Sequence, residues 1–236
     1  TYTNINGHDE DLNADPLMRF SPDQKRRKAH RLQHLYAWFL YGLITISWSI
    51  KKDFIQLERY KAKDLLKTQG VTYKQAFFKL VLAKLFYYSF ILVLPIIFSS
   101  QAWWLTLVFY FIMHFTCGLF ISTIFQLAHV VSEVSFPKPD DTGSMENNWA
   151  IHQLYTTANF AKYNLPLSWF IGGLNYQIEH HLFPNICHIH YRKLSKIVKK
   201  TAKEFNLPYH NHSTFFGALS SHAKLLFNLG KYDHAV

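Results

Sequence analysis

Two uninterrupted apolar runs dominate the chain. FFKLVLAKLFYYSFILVLPIIF, residues 77–98, and WWLTLVFYFIMHFTCGLFISTIF, residues 103–125, each reach the roughly 20 residues that cross a bilayer core. Only a short uncharged link separates them, and Trp103 and Trp104 fit an aromatic belt at the membrane surface. The pattern predicts a transmembrane helical hairpin with both ends in the cytosol. Lys79 and Lys84, near the start of the first run, can snorkel back toward that surface. A third apolar run, LYAWFLYGLITISWSI at 35–50, is about 16 residues long, too short for a straightforward crossing. Basic clusters flank it on both sides, so a crossing would put one of them on the wrong face. It is expected to be an interfacial or re-entrant helix.

The rest of the chain has mixed patterning. Residues 1–34 start acidic and turn basic, with Ser21-Pro22-Asp23 a plausible helix start. From 126 onward the composition is that of a soluble region. Residues 137–148 (PKPDDTGSMENN) predict a loop. Residues 149–163 predict a helix with Trp149, His152, Thr156 and Phe160 on one side. In 191–205, Leu194, Ile197, Val198, Thr201, Ala202 and Phe205 recur at helical spacing among lysines. Residues 213–229 predict a last helix stopped by Gly230. The expected fold is an all-α membrane protein: a transmembrane hairpin, an interfacial helix, and a cytosolic helical cap (126–236) carrying the candidate metal site, all within one domain, 1–236.

Composition narrows the function classes. Of the 236 residues, 49% are apolar, and the formal net charge is +10. Such charge suits an anionic membrane surface or an acidic partner. No nucleic-acid-binding motif accompanies it, so nucleic acid is not an expected partner. The two cysteines, Cys117 and Cys187, make no disulfide framework and point to a reducing compartment. Cys187 with His188 and His190 makes only a weak zinc-like cluster.

The candidate chemistry lies in NYQIEHHLFPN, residues 175–185. On a helix at about 100° per residue, Gln177, His180 and His181 point into one arc, while Glu179 faces away. Converging imidazoles suit iron, copper or zinc, and a divergent pair suits two metals better than one. The alternative is a pair of helix histidines bonded to backbone or water. His129 follows the second span closely, so it is expected on the same membrane face; it too could instead be bonded to a carbonyl. Gln126, one turn earlier, could support it. His114 lies mid-span, roughly 22 Å along a helix from His129, too far to share a cluster, and a packing or hydrogen-bonding role fits it better. His152 falls on the buried-looking face of its helix, and His8 sits beside an acidic cluster.

These motifs resemble those of membrane fatty acid desaturases. QIEHHLFP is similar to the third histidine box of the front-end form, in which Gln replaces the first His. FQLAHVV resembles the extra histidine after the last span. NWAIHQLYTTANFA and HIHYRKLSKIVKK…FNLPYH resemble the family's cytosolic cap, and TYTNINGHDEDLNADP resembles the segment after its second box. The resemblance covers essentially the whole chain. It implies an O2-dependent oxidoreductase of lipid metabolism whose two irons form a di-iron centre, with His129, His180 and His181 as ligands and Gln177 as a weak or supporting ligand. Asp9, Asp11, His152 and Asn175 are candidates to support them, and no catalytic residue is expected beyond the ligands. The implied substrate is a fatty acyl chain on CoA, carrier protein or lipid. The implied partners are membrane lipid and an electron donor such as ferredoxin or cytochrome b5, and the implied location is integral to the membrane with the site on the cytosolic face.

The family's first two boxes, of HxxxH and HxxHH form, are absent from these residues, and the chain opens at Thr1. It is therefore expected to be a portion lacking those boxes, inactive alone and a poor iron binder. The rival readings are a membrane di-iron hydroxylase of fatty acids or lipids, and a metal-binding membrane protein or inactive fragment.

Overall fold

A computed structural model describes residues 2–9, 12 and 14–233. The chain divides into two compact units, residues 1–38 with 123–236, and residues 39–122.

The 39–122 unit is built from long helices. Helix α1 (Gln33–Ser47) enters it and continues through a π-helical turn, Trp48–Lys52, into α2 (Asp53–Ala62). A short α3 (Leu65–Thr68) follows. Thr72 caps α4 (Tyr73–Tyr88) by accepting from Gln75 N. A second π-helical turn, Ser89–Val93, leads into α5 (Leu94–Phe98), and α6 (Trp103–His129) follows. The continuous runs Tyr73–Phe98 and Trp103–His129 are both long and apolar enough to cross a membrane. Both begin or end a turn beyond the apolar runs that predict them, because Tyr73 and His129 extend helices that composition alone would stop earlier. The expected 35–50 element likewise belongs to a longer helical run that reaches Ala62.

Small residues let α1 and α6 approach closely. A Cβ on Gly118 would stand 2.7 Å from the carbonyl oxygens of Gly42 and Tyr41, and a Cβ on Gly42 would collide with the Phe115 ring. Small residues at a helix–helix contact let the backbones approach this closely. His114 takes the hydrogen-bonding role expected of it. Its Nδ1 lies 3.0 Å from Thr45 Oγ1 and its Nε2 2.6 Å from Tyr87 OH. Lys84 does not snorkel alone. It pairs with Asp53 at 2.5 Å and donates to the Trp48 carbonyl at 3.1 Å, beside the π-helical turn.

The other unit is mostly helical. It contains α7 (Trp149–Thr156), α8 (Leu165–Phe170), α9 (Gln177–Leu182), α10 (Tyr191–Glu204) and α11 (Phe215–Lys231). The expected helix over 149–163 ends at Thr156. Ala158–Phe160 (β1) instead pairs in parallel with His210–His212 (β2), so the all-α expectation misses a small sheet. That sheet binds segments about fifty residues apart, a pairing no local pattern announces.

Three further expectations change. Ser21-Pro22-Asp23 forms a turn, with Asp23 N on Ser21 Oγ at 3.3 Å, and the helix starts only at Gln33 after a 3-10 turn, Lys28–Leu32. Gly230 does not stop α11 but lies inside it, where any Cβ would strike the His30 carbonyl. On α10 the buried face is Tyr191, Ser195, Val198 and Ala202, while Ile197 and Phe205 are exposed. Within this unit the N-terminal segment is locked to α11: the buried Arg19 guanidinium donates to the carbonyls of Leu229 (2.7 Å) and Tyr232 (2.8 Å), covering carbonyls that a helix end leaves open.

Candidate metal centre

Helix α9 is short, so tertiary contacts must hold it. Its approach is set by Gly172 and Gly173, at φ +61° and +76°, a left-handed region that glycine enters without strain. Tyr176 OH donates to the Lys162 carbonyl at 2.5 Å, and Asn159 Oδ1 accepts from Ile178 N at 2.9 Å. The back of the helix is buried. Ile178 packs with Leu154, Val198 and Ala202. Glu179, wholly buried, accepts from Tyr209 OH and from Asn159 Nδ2, each at 2.8 Å, and Lys162 Nζ donates to Tyr209 OH at 3.0 Å. Burial raises the Glu179 carboxyl above its ordinary range, opposed by the hydrogen bonds from Tyr209 and Asn159.

With its back fixed, α9 turns Gln177, His180 and His181 toward a cavity of about 310 Å³ that His129, Gln126 and Phe125 line from the end of α6. The Gln177 amide nitrogen lies 3.2 Å from His129 Nε2 and 3.4 Å from His181 Nε2. The two imidazole rings are 4.8 Å apart between centroids. An amide N–H that donates to both nitrogens requires lone pairs on both, the same lone pairs a metal would take.

The opposite edge of His181 is held. Its Nδ1 lies 2.6 Å from Gln153 Oε1 and 3.3 Å from Thr3 Oγ1. A carbonyl-type oxygen can only accept, so Nδ1 carries the proton and Nε2 faces the cavity, the tautomer a metal-binding histidine needs. Thr3 Oγ1 also donates to Gln153 Oε1 at 3.0 Å, and His152 Nε2 donates to the Thr3 carbonyl at 2.7 Å. Burial first, then neighbouring His129 and His180, push His181 down to about 2, so it stays neutral. Burial also lowers His180, whose Nδ1 lies 3.3 Å from Tyr191 OH.

Residues 2–9 border the same cavity. His8 and Asp9 line it, and Asp9 Oδ2 accepts from Asn4 N at 2.8 Å. Asn4 in turn donates through Nδ2 to the His129 carbonyl at 2.9 Å. Asp11 lies outside the described residues. Asn175 stands away from the imidazoles and braces the approach to α9, donating to Ser168 Oγ at 2.8 Å and to the Ala161 carbonyl at 3.3 Å. His152 acts through Thr3 and does not line the cavity. Gln153 and Thr3 were not singled out from the sequence. Gln153 follows His152 by one residue and carries no motif, so only the fold reveals its contact with His181. Cys187 Sγ and His188 Nδ1 are 4.0 Å apart on an exposed turn.

A family model described as fatty acid desaturase matches residues 1–213. The chain belongs to the fatty acid desaturase family. Among similar proteins of this family is a sn-1 linoleoyl-lipid 6-desaturase of Synechocystis sp., 38% identical over 98% of this chain and 64% of the relative. A protein of the same description from Arthrospira platensis is 38% identical over 94% of this chain and 59% of its own length. An acyl-lipid (8-3)-desaturase of Physcomitrium patens is 35% identical over 98% of this chain and 48% of its own length. The chain thus spans about half to two thirds of the length of these relatives. No solved structure matches it.

The donors of this desaturase-family chain fit iron in kind but not in number. Imidazole nitrogens with an amide oxygen suit a divalent transition metal. Yet among the described residues no three His, Cys, Asp or Glu stand close enough to hold a metal ion by themselves. His129, His180, His181 and Gln177 all line the cavity.

Proposed function

We propose that this chain carries half of the iron site of an acyl-lipid desaturase, which places a cis double bond in a fatty acyl chain at the cytosolic face of a membrane. The observation that carries this reading is the convergence of His129 and His181 Nε2 on the Gln177 amide, at 3.2 and 3.4 Å. His129, His180 and His181 would hold iron, with Gln177 as the weak fourth donor. When bound, iron supplies the O2 chemistry that breaks unactivated C–H bonds, which side chains alone cannot do. The net reaction removes two hydrogens from adjacent methylenes and reduces one O2 to two waters, using two electrons and two protons from an external donor.

The chain's own residues keep the site neutral and shaped. Gln153 holds the His181 proton on Nδ1 and so orients the ring. The Glu179–Asn159–Tyr209 bonds fix the back of α9. Phe125 and Leu12 add apolar wall to the cavity, which favours an acyl chain and limits water. An acyl group on membrane lipid is the substrate form that the relatives' names favour, and ferredoxin or cytochrome b5 would supply electrons to the basic face.

The test is lipid profiling of a host expressing the whole gene, with and without His181→Ala. The expected product is an additional alkene that the variant abolishes. An alcohol in place of the alkene would identify a hydroxylase, and an unchanged profile from His181→Ala would remove this histidine from the site.

A further inference from the structure

Outside the candidate metal centre, several exposed large apolar side chains of the 1–38 and 123–236 unit lie on α8 and its flanks. Tyr163 and Trp169 are 81% and 82% exposed, and Leu165, Phe170 and Phe216 are exposed as well. Exposed large apolar side chains grouped on one short segment mark a surface that is covered in use. The patch is not loose. Asn164 Oδ1 accepts from Leu167 N at 3.0 Å, Ser168 Oγ donates to the Asn164 carbonyl at 2.9 Å, and Gly173 N donates to the Ser168 carbonyl at 2.7 Å.

The inner side of the same segment identifies what covers it. Leu167 and Ile171 of the α8 region, with Phe215 beside Phe216, pack on a cluster formed by Ile124, Leu127 and Ala128 of α6 with Phe160, Ala161 and Ala218. Those three α6 residues belong to the last turns of a helix long and apolar enough to span a bilayer. The patch is therefore anchored where α6 leaves the apolar layer. Trp and Tyr favour that depth, since each has an apolar body and a polar tip.

The geometry points to α8 and its flanks, Tyr163–Phe170 with Phe216, as an interfacial anchor that inserts Trp169 and Phe170 into the lipid headgroup and upper acyl region beside the end of α6. The occupant is the bilayer surface. The inference rests on α6 crossing the membrane and not on the desaturase reading, so either can fail alone. In mechanical terms the anchor would hold the histidine-bearing unit at fixed depth, because α8 and α9 are joined by the tight turn at Gly172 and Gly173.

The test uses the full chain in lipid nanodiscs, as wild type and as Trp169→Phe, so that the difference in fluorescence isolates Trp169. Lipids brominated near the headgroup should quench that difference about two-fold or more, and lipids brominated near the chain end should quench it less, as a depth of roughly 5–10 Å requires. Aqueous iodide should leave it nearly unchanged. Quenching by iodide but not by bromolipid would place Trp169 in water, and shielding from both would place it under protein, such as a second copy. Either result overturns the anchor. No added alkene from a host expressing the whole gene, with intact bromolipid quenching, would count against the desaturase reading only.

Discussion

His181 Nδ1 sits 2.6 Å from Gln153 Oε1, so a neutral amide 28 residues earlier in the chain decides which nitrogen of His181 faces the cavity. Replacing Gln153 with Ala removes the acceptor and frees the ring to rotate or change tautomer. Metal affinity should fall about 10-fold or more, the usual cost of losing such a partner. Titration of the purified protein with cobalt, followed by its visible absorption, measures this, and circular dichroism checks that the fold is kept. An unchanged affinity would show that Gln153 does not orient His181.

The chain as it stands should load iron poorly. Elemental analysis after expression with added iron should find far fewer than two irons per chain, because the described residues contain no group of three His, Cys, Asp or Glu spaced for a metal. Two tightly held irons would refute the half-site reading of the four donors.

Glu179 supports α9 from behind. Glu179→Ala strands the buried donors of Tyr209 and Asn159 and should cost about 3 kcal/mol, in the range for hydrogen bonds to a charged group. Glu179→Gln keeps one acceptor oxygen and should cost less. Thermal unfolding in detergent, with both variants beside wild type, gives the ranking. Stability of both variants equal to that of wild type would show that the carboxyl and its bonds contribute nothing.

His222 is wholly buried, its Nδ1 donating to the Val130 carbonyl at 2.5 Å, and burial pushes it down to about 4. The unfolded chain binds this proton near pH 6.5 while the folded chain refuses it. Its contribution is therefore complete above about pH 7 and is lost as pH falls from roughly 6.5 to 4. The loss amounts to about 3 kcal/mol over that window. Unfolding midpoints measured from pH 8 to pH 4 should fall accordingly, and His222→Gln should flatten the slope.

Gly118 sets the α1–α6 approach. Gly118→Ala places a methyl 2.7 Å from two backbone carbonyl oxygens, which cannot yield as a flexible side chain would. Overpacking of this kind costs about 1–3 kcal/mol. Reduced thermal stability in detergent is the expected reading.

Much of this protein was legible in the linear pattern. Apolar runs located the helices that can span a membrane, since bilayer thickness sets a length that residues can be counted against. The i, i+3, i+4 spacing of Gln177, His180 and His181 put them on one arc of a helix. His129 was found from its position just after an apolar run. Pattern failed where a residue's role depends on a distant segment. The helix expected over 149–163 yields to β1 because His210–His212 returns to pair with it. Gly230 looks like a helix stop, but its hydrogen sits against the His30 carbonyl. Ile197 matches the buried face of α10 by spacing, yet Ser195 takes that place and Ile197 is exposed.

By itself, then, the sequence determined the apolar helices, the donor types and their family, because those follow from local periodicity and short motifs. Only the tertiary structure decided that residues 3, 129, 177 and 181 line one cavity and that Gln153 holds His181 from the other side. It also decided which imidazole nitrogen of His181 is protonated. The reason is physical: a hydrogen bond depends on distance and angle in space, and residues separated by 150 positions, as Thr3 and Gln153 are, leave no trace of theirs along the chain.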